Sequence, residues 1–62
     1  MELIYVVISN GDAHSAHKSI EKASSQVADL CRFEFDNVQY DERGFAQSES
    51  GAVRICELML QN

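Results

Sequence analysis

The chain is short of basic residues, cysteine and glycine, has no proline, and carries no long apolar run; each scarcity narrows what it can be. Only five lysines and arginines stand against ten acids, a formal charge of −5 in 62 residues. Nucleic-acid backbones are bound by Lys and Arg neutralising phosphates, so no direct nucleic-acid binding is expected, and an anionic membrane surface is disfavoured for the same reason. No stretch approaches the roughly 20 apolar residues that cross a bilayer. The apolar start through Ile8 is too short for a secretory leader and has no basic residues ahead of it. Together these features predict a cytoplasmic protein. Cys31 and Cys56 do not form a CxxC pair. Each sits among apolar residues, which reads as a small buried hydrophobe in a reduced compartment; a disulfide or a reactive thiol is the other reading.

Catalytic signatures are missing as well. No serine lies in a Gly-x-Ser-x-Gly elbow, and Ser9-Asn10-Gly11 lacks the further glycines and the lysine of a phosphate-binding loop. The length allows one domain, residues 1–62, with one small core and hardly enough body to enclose a substrate pocket. No enzymatic activity is expected.

What is present is a set of short periodic segments. Leu3 to Ile8 is a continuous β-branched and aromatic run, predicting a strand covered on both faces or central in a small sheet. Ser9-Asn10-Gly11-Asp12 breaks it and ends in an acceptor suited to an N-cap. From Asp12 to Cys31, at about 100° per residue, Ala13, Ala16, Ile20, Ala23, Val27, Leu30 and Cys31 share one arc, which predicts a long helix. In Phe33 to Tyr40 the pairs Phe33/Phe35 and Val38/Tyr40 are out of phase, predicting a strand bulged near Asp36-Asn37, with a very short hairpin as the alternative. Asp41 to Gly44 is a turn and Phe45 to Gln47 a short returning strand. After Ser48 to Gly51, the residues Ala52, Val53, Ile55, Cys56, Met59 and Leu60 fall on one helical face, with Arg54, Glu57 and Gln61 on the other. A strand there would put Glu57 in phase with Val53, Ile55 and Met59, so a second helix is expected. The resulting order, β-α-β-β-α, predicts an α+β fold, a small two-layer sandwich. Its mainly antiparallel three-stranded sheet would carry two helices on one face, resembling a ferredoxin-like layer without its last strand. The exposed edges and the open side of such a sheet predict a homodimer.

Two clusters could carry function. His14, His17 and Glu21 would lie together on the first turns of the expected helix, where imidazoles and a carboxylate suit zinc, nickel or copper. Gly11 to His17 followed by Ile20-Glu21-Lys22-Ala23, after a strand, resembles the start of a heavy-metal-associated domain. In that family a strand leads into Gly-Met-Thr-Cys-x-x-Cys and an Ile/Val-Glu-Lys-Ala helix, and the two thiolates bind a soft ion such as Cu(I). His14 and His17 stand where those cysteines would be, so the resemblance, over about a fifth of the chain, implies a small metal-binding domain with imidazoles in place of thiolates. The second cluster is acidic. Asp29, Glu34, Asp36, Asp41 and Glu42 lie in one stretch relieved only by Arg32. Such a run can be a solvated edge that blocks aggregation, or a surface that engages a basic one. The sequence therefore predicts a small acidic protein-interaction module without a cofactor. It would be an inhibitor or regulator that engages a basic, nucleic-acid-binding protein surface through Glu34, Asp36, Asp41 and Glu42, as small anti-defence proteins of phages and mobile elements do. Metal binding through His14, His17 and Glu21 is the alternative.

Overall fold

A computed structural model describes residues 2–60; Met1, Asn62 and Gln61, the last of which the sequence puts on a polar helical face, lie outside it. The chain forms β1 (Glu2–Ser9), β2 (Asp12–His17), α1 (Ile20–Phe33), β3 (Val38–Tyr40), β4 (Ala46–Ser48) and β5 (Val53–Leu60). Strands β2, β1 and β5 make an antiparallel sheet in that order, and β3 and β4 form a separate two-stranded ladder. The expected architecture of two helices on one three-stranded sheet is thereby overturned: among the described residues there is one helix, with five strands in two small sheets.

The first departure is at Asn10-Gly11. Both residues have positive φ, 53° and 85°. A two-residue connection of this kind matches the right-handed twist of paired strands, so the turn closes a hairpin, with Ser9 opposite Asp12, where the sequence suggests a helix N-cap. Residues 12–17 thus become β2, including the stretch where the heavy-metal-associated resemblance places a loop and helix start. Helix α1 begins only after Ser19, whose extended backbone and side-chain oxygen accepting from the Lys22 N–H make it the N-cap.

The second departure is at the C-terminal side, where residues 53–60 are strand and pair with the whole of β1, Ser9 to Val53 through Glu2 to Leu60. Glu57, the residue that argues against a strand, meets Arg43 at 3.1 Å, and the Arg43 guanidinium lies 4.4 Å above the Phe45 ring. The carboxylate is therefore paired on the covered side of the sheet and only partly withdrawn from water. The third is Phe33 to Tyr40, of which only Val38–Tyr40 is strand, because α1 runs on to Phe33. The returning strand is shifted by one residue from the expected Phe45 to Gln47. The N-terminal strand is central in its sheet, as its composition predicts, but only one of its faces is covered.

Alternation along the strands sends Tyr5, Val7, Val53 and Ile55 toward α1. The core is small: Val7, Ala23, Val27, Cys31, Ala46 and Val53 are buried, with Tyr5, Leu30, Val38, Ala52 and Ile55 packed around them. Ser24, buried on the helix, ties the β3–β4 hairpin down. Its hydroxyl donates to the Gly44 carbonyl at 3.0 Å and accepts from the Ala46 N–H at 3.3 Å. Ser48 does the same for β5, accepting from the Val53 N–H at 2.9 Å. Cys56 alternates to the uncovered face of the sheet, opposite the face that buries Cys31, and both thiols are free.

Candidate functional site: an acidic and aromatic helix end

Helix α1 ends in a tight left-handed turn. The Glu34 N–H donates to the Leu30 carbonyl, the Phe35 N–H to Arg32 and the Asp36 N–H to Cys31, the last at 2.8 Å. This bond pattern is the one that places a residue in the left-handed region just past a helix end, a position usually given to glycine. Here it is Phe35, with φ 56°. A bulky side chain in that region is disfavoured by contact with its own backbone. The phenyl ring gains no burial in return, since it is 98% exposed, and its neighbour Phe33 is 81% exposed.

The same turn concentrates negative charge. Unsatisfied carbonyls give a helix C-terminus a partial negative charge, which favours cations there and disfavours acids. The turn instead carries Glu34 and Asp36. Arg32, the basic residue of the last helical turn, pairs with Asp29 at 3.7 Å. Among the described residues Glu34 has no ion-pair partner. Asp36 accepts from the Asn37 N–H at 2.9 Å and from the Ser50 hydroxyl, and the Asn37 amide donates to Glu49 at 2.7 Å. These bonds pin the turn to the β4–β5 connection and hold the two phenyl groups outward on a fixed backbone.

Beside the turn is a cleft of about 180 Å³ lined in part by Ser9, Asn10, Cys31, Glu34, Asp36 and Ser50. It is below the size of ordinary small-molecule pockets, which begin near 300 Å³. It has room for the end of one side chain. Burial pushes the Cys31 thiol above its ordinary value, and the Asp36 carboxylate adds to the shift, so the floor of the cleft is a neutral thiol at physiological pH.

The acidic residues named from the sequence divide into two groups. Glu34 and Asp36 share the cleft. Asp41 and Glu42 lie past the far end of the short β3 strand, in its connection to β4. There Asp41 accepts from the Arg43 and Phe45 N–H groups, both at 2.9 Å, so its carboxylate shapes the turn. Glu42 is exposed. The histidine cluster is not assembled as a helical face. His14 is the residue left without a partner where β2 slips against Val7 and Ile8, His17 Nε2 lies 2.9 Å from the Ser15 hydroxyl, and Glu21 is in the first turn of α1. Among the described residues no three His, Cys, Asp or Glu side chains are grouped to hold a metal ion. Nor is any helix there long and apolar enough to cross a membrane.

Phe33 and Phe35 escape sequence reasoning because their spacing of two matches a strand face. The available signal was the acid after each of them, Phe-Glu-Phe-Asp, an unpromising sequence for a buried strand. No protein-family model, no curated protein and no solved structure matches this chain.

Proposed function

We propose that this chain is a non-catalytic protein-binding module that docks the end of α1, Phe33, Glu34, Phe35 and Asp36, onto a partner surface that is apolar at its centre and basic at its rim. The observation that carries this reading is Phe35, a large apolar side chain at positive φ and almost wholly in solvent. Backbone strain that local packing does not reward is a mark of a functional position. Burying two phenyl groups against a partner is worth roughly 3 to 6 kcal/mol by area, and the pinned backbone lowers the ordering cost of doing so. Glu34 and Asp36 supply charge selection and speed of encounter, and their cleft accepts the end of a lysine or arginine. A basic groove that ordinarily holds nucleic acid has this character, so the module would act as an inhibitor or regulator by occupying it. The free thiols fit the cytoplasmic setting expected from the sequence.

The test is capture of partners from extract of the native cell or its host by the tagged chain, compared with three variants over a salt series. A stoichiometric protein that is released as salt rises, is lost with Phe33→Ala/Phe35→Ala and with Glu34→Lys/Asp36→Lys, and is kept by Glu42→Lys, is the expected result. Retention by both double variants would show that the helix end is not the docking site.

A further inference from the structure

Three facts about the far end of the sheet point away from the helix end and toward a second interaction. Strand β2 stops at His17, opposite Tyr5, and the β3–β4 hairpin reaches the sheet at Phe45 on Tyr5 and Arg43 on Glu57. Among the described residues, only Glu2–Ile4 and Leu58–Leu60 continue beyond that line, as a two-stranded arm. Apart from Glu2 its side chains are apolar, on both faces, and Leu3, Leu58, Met59 and Leu60 are between 39% and 56% exposed. A two-stranded ribbon with uncovered apolar faces is marginal in water by itself.

The two edges of the sheet are treated differently. The β2 edge is broken by the slip at His14 and followed by Lys18, both common protections against strand addition. Among the described residues the β5 edge has no ladder partner and no bulge, its pairing with β1 is in unbroken register, and its charged residues, Arg54 and Glu57, lie before the arm. Near the arm its backbone is open to another strand.

Charge identifies the occupant. The chain carries −5, so copies of it repel wherever that charge is displayed. On the arm it is compensated: Glu2 pairs with Lys18 at 3.3 Å and Glu57 with Arg43 at 3.1 Å. A basic partner has nothing there to select, whereas a second copy meets a neutral apolar surface matching its own. We infer that the chain forms a two-fold dimer in which the end of β5, Leu58–Leu60, pairs antiparallel with the same residues of a second copy, Met59 opposite Met59 and Leu58 opposite Leu60. The pairing is isologous and closes at two copies. It joins the two sheets into one of six strands and stacks Leu58 and Leu60 against their counterparts. Leu58, Met59 and Leu60, each about half exposed, are the apolar side chains that this edge brings to the contact. Two such edges make an interface smaller than the roughly 1,000 Å² of stable complexes, so a weak dimer, in the micromolar range, is expected.

Sedimentation equilibrium on the whole chain from about 1 to about 100 µM tests this, a range that brackets the expected affinity. The mass should rise toward twice the 7.0 kDa of one chain. The dimer should tighten as salt is added, because salt screens the repulsion between copies. That response is opposite in sign to the one expected of the acidic helix end. Leu58→Lys and Met59→Lys, each confirmed as folded by circular dichroism, should return the mass to one chain across the range. Phe33→Ala/Phe35→Ala should leave it dimeric, which separates this inference from the proposed function. A wild-type chain that stays monomeric at the top concentration would overturn the inference. So would a dimer that survives both lysine substitutions, or one that dissolves in the phenylalanine double variant.

Discussion

Phe35 shows how one residue can set stability against use. Its left-handed backbone is closed by hydrogen bonds from its own N–H and that of Asp36, so the turn persists although the side chain disfavours it. Phe35→Gly removes the steric penalty and should stabilise the chain by about 1 kcal/mol, seen as a higher urea midpoint, while weakening partner capture. A loss of stability on this substitution would mean that the phenyl group packs where the structure shows it in solvent. Cys31 offers a second residue-scale expectation. With its thiol pKa raised in the folded chain, first by burial and then by Asp36, the folded state holds that proton more tightly than the unfolded state. Below the ordinary value of 9.0 both states are protonated and the thiol has no effect on pH dependence. Above it, unfolding releases the proton, so stability should fall as pH rises through and beyond that value. Urea titrations of wild type and Cys31→Ala at pH 8 and pH 10 measure this, the variant losing less stability over the interval.

At the scale of elements, hydroxyl groups do work that a larger core would do by packing. The β3 and β4 strands have three residues each, too few to hold a hairpin by themselves. Ser24 supplies two of the bonds that fasten them to α1. Ser24→Ala leaves the Ala46 N–H without that acceptor in a buried place and should cost about 1 to 3 kcal/mol. Hydrogen exchange at Ala46 should accelerate more than at Val7 in the sheet, since the hairpin can open locally. Equal acceleration at both would mean that hairpin and sheet unfold as one unit. Gly11 does comparable work for the β1–β2 hairpin. At φ 85° it has open space where a Cβ would go, so Gly11→Ala should be limited to backbone strain of about 1 kcal/mol.

The whole molecule measures 39 × 24 × 15 Å, and its short dimension is that of one helix layer on one sheet layer. Among the described residues no element covers one face of the sheet. Ile4, Val6, Ile8 and Cys56 lie on that face, partly sheltered only by their neighbours. A chain of this length buries about 60% of its unfolded surface and sits near the limit of independent stability. Association through the arm would add to it by mass action. The melting temperature of the wild type should therefore rise with protein concentration, whereas that of Met59→Lys should not; parallel behaviour of the two would dissociate stability from the arm.

Some of this was legible in the sequence alone. The strand over Leu3 to Ile8, the helical stripe Ala23, Val27, Leu30 and Cys31, the turn at Asp41 to Gly44 and the concentration of acids in the middle of the chain follow from local composition and spacing, which tertiary contacts leave in place. Residues 12–17 and 53–60 were different. Small residues such as Ala13 and Ala16 are compatible with either period, and Glu57 is out of place on a strand until Arg43, fourteen positions away in the chain, is brought to it. Only the tertiary structure decided those segments, because a strand is stabilised by a partner strand and a helix by its own backbone. The same holds for the proposed site. The acids could be counted in advance, but Glu34 and Asp36 were separated from Asp41 and Glu42, and joined to two solvent-exposed phenyl groups, by where α1 ends. That end is set by three backbone hydrogen bonds and the packing of Cys31 beneath them.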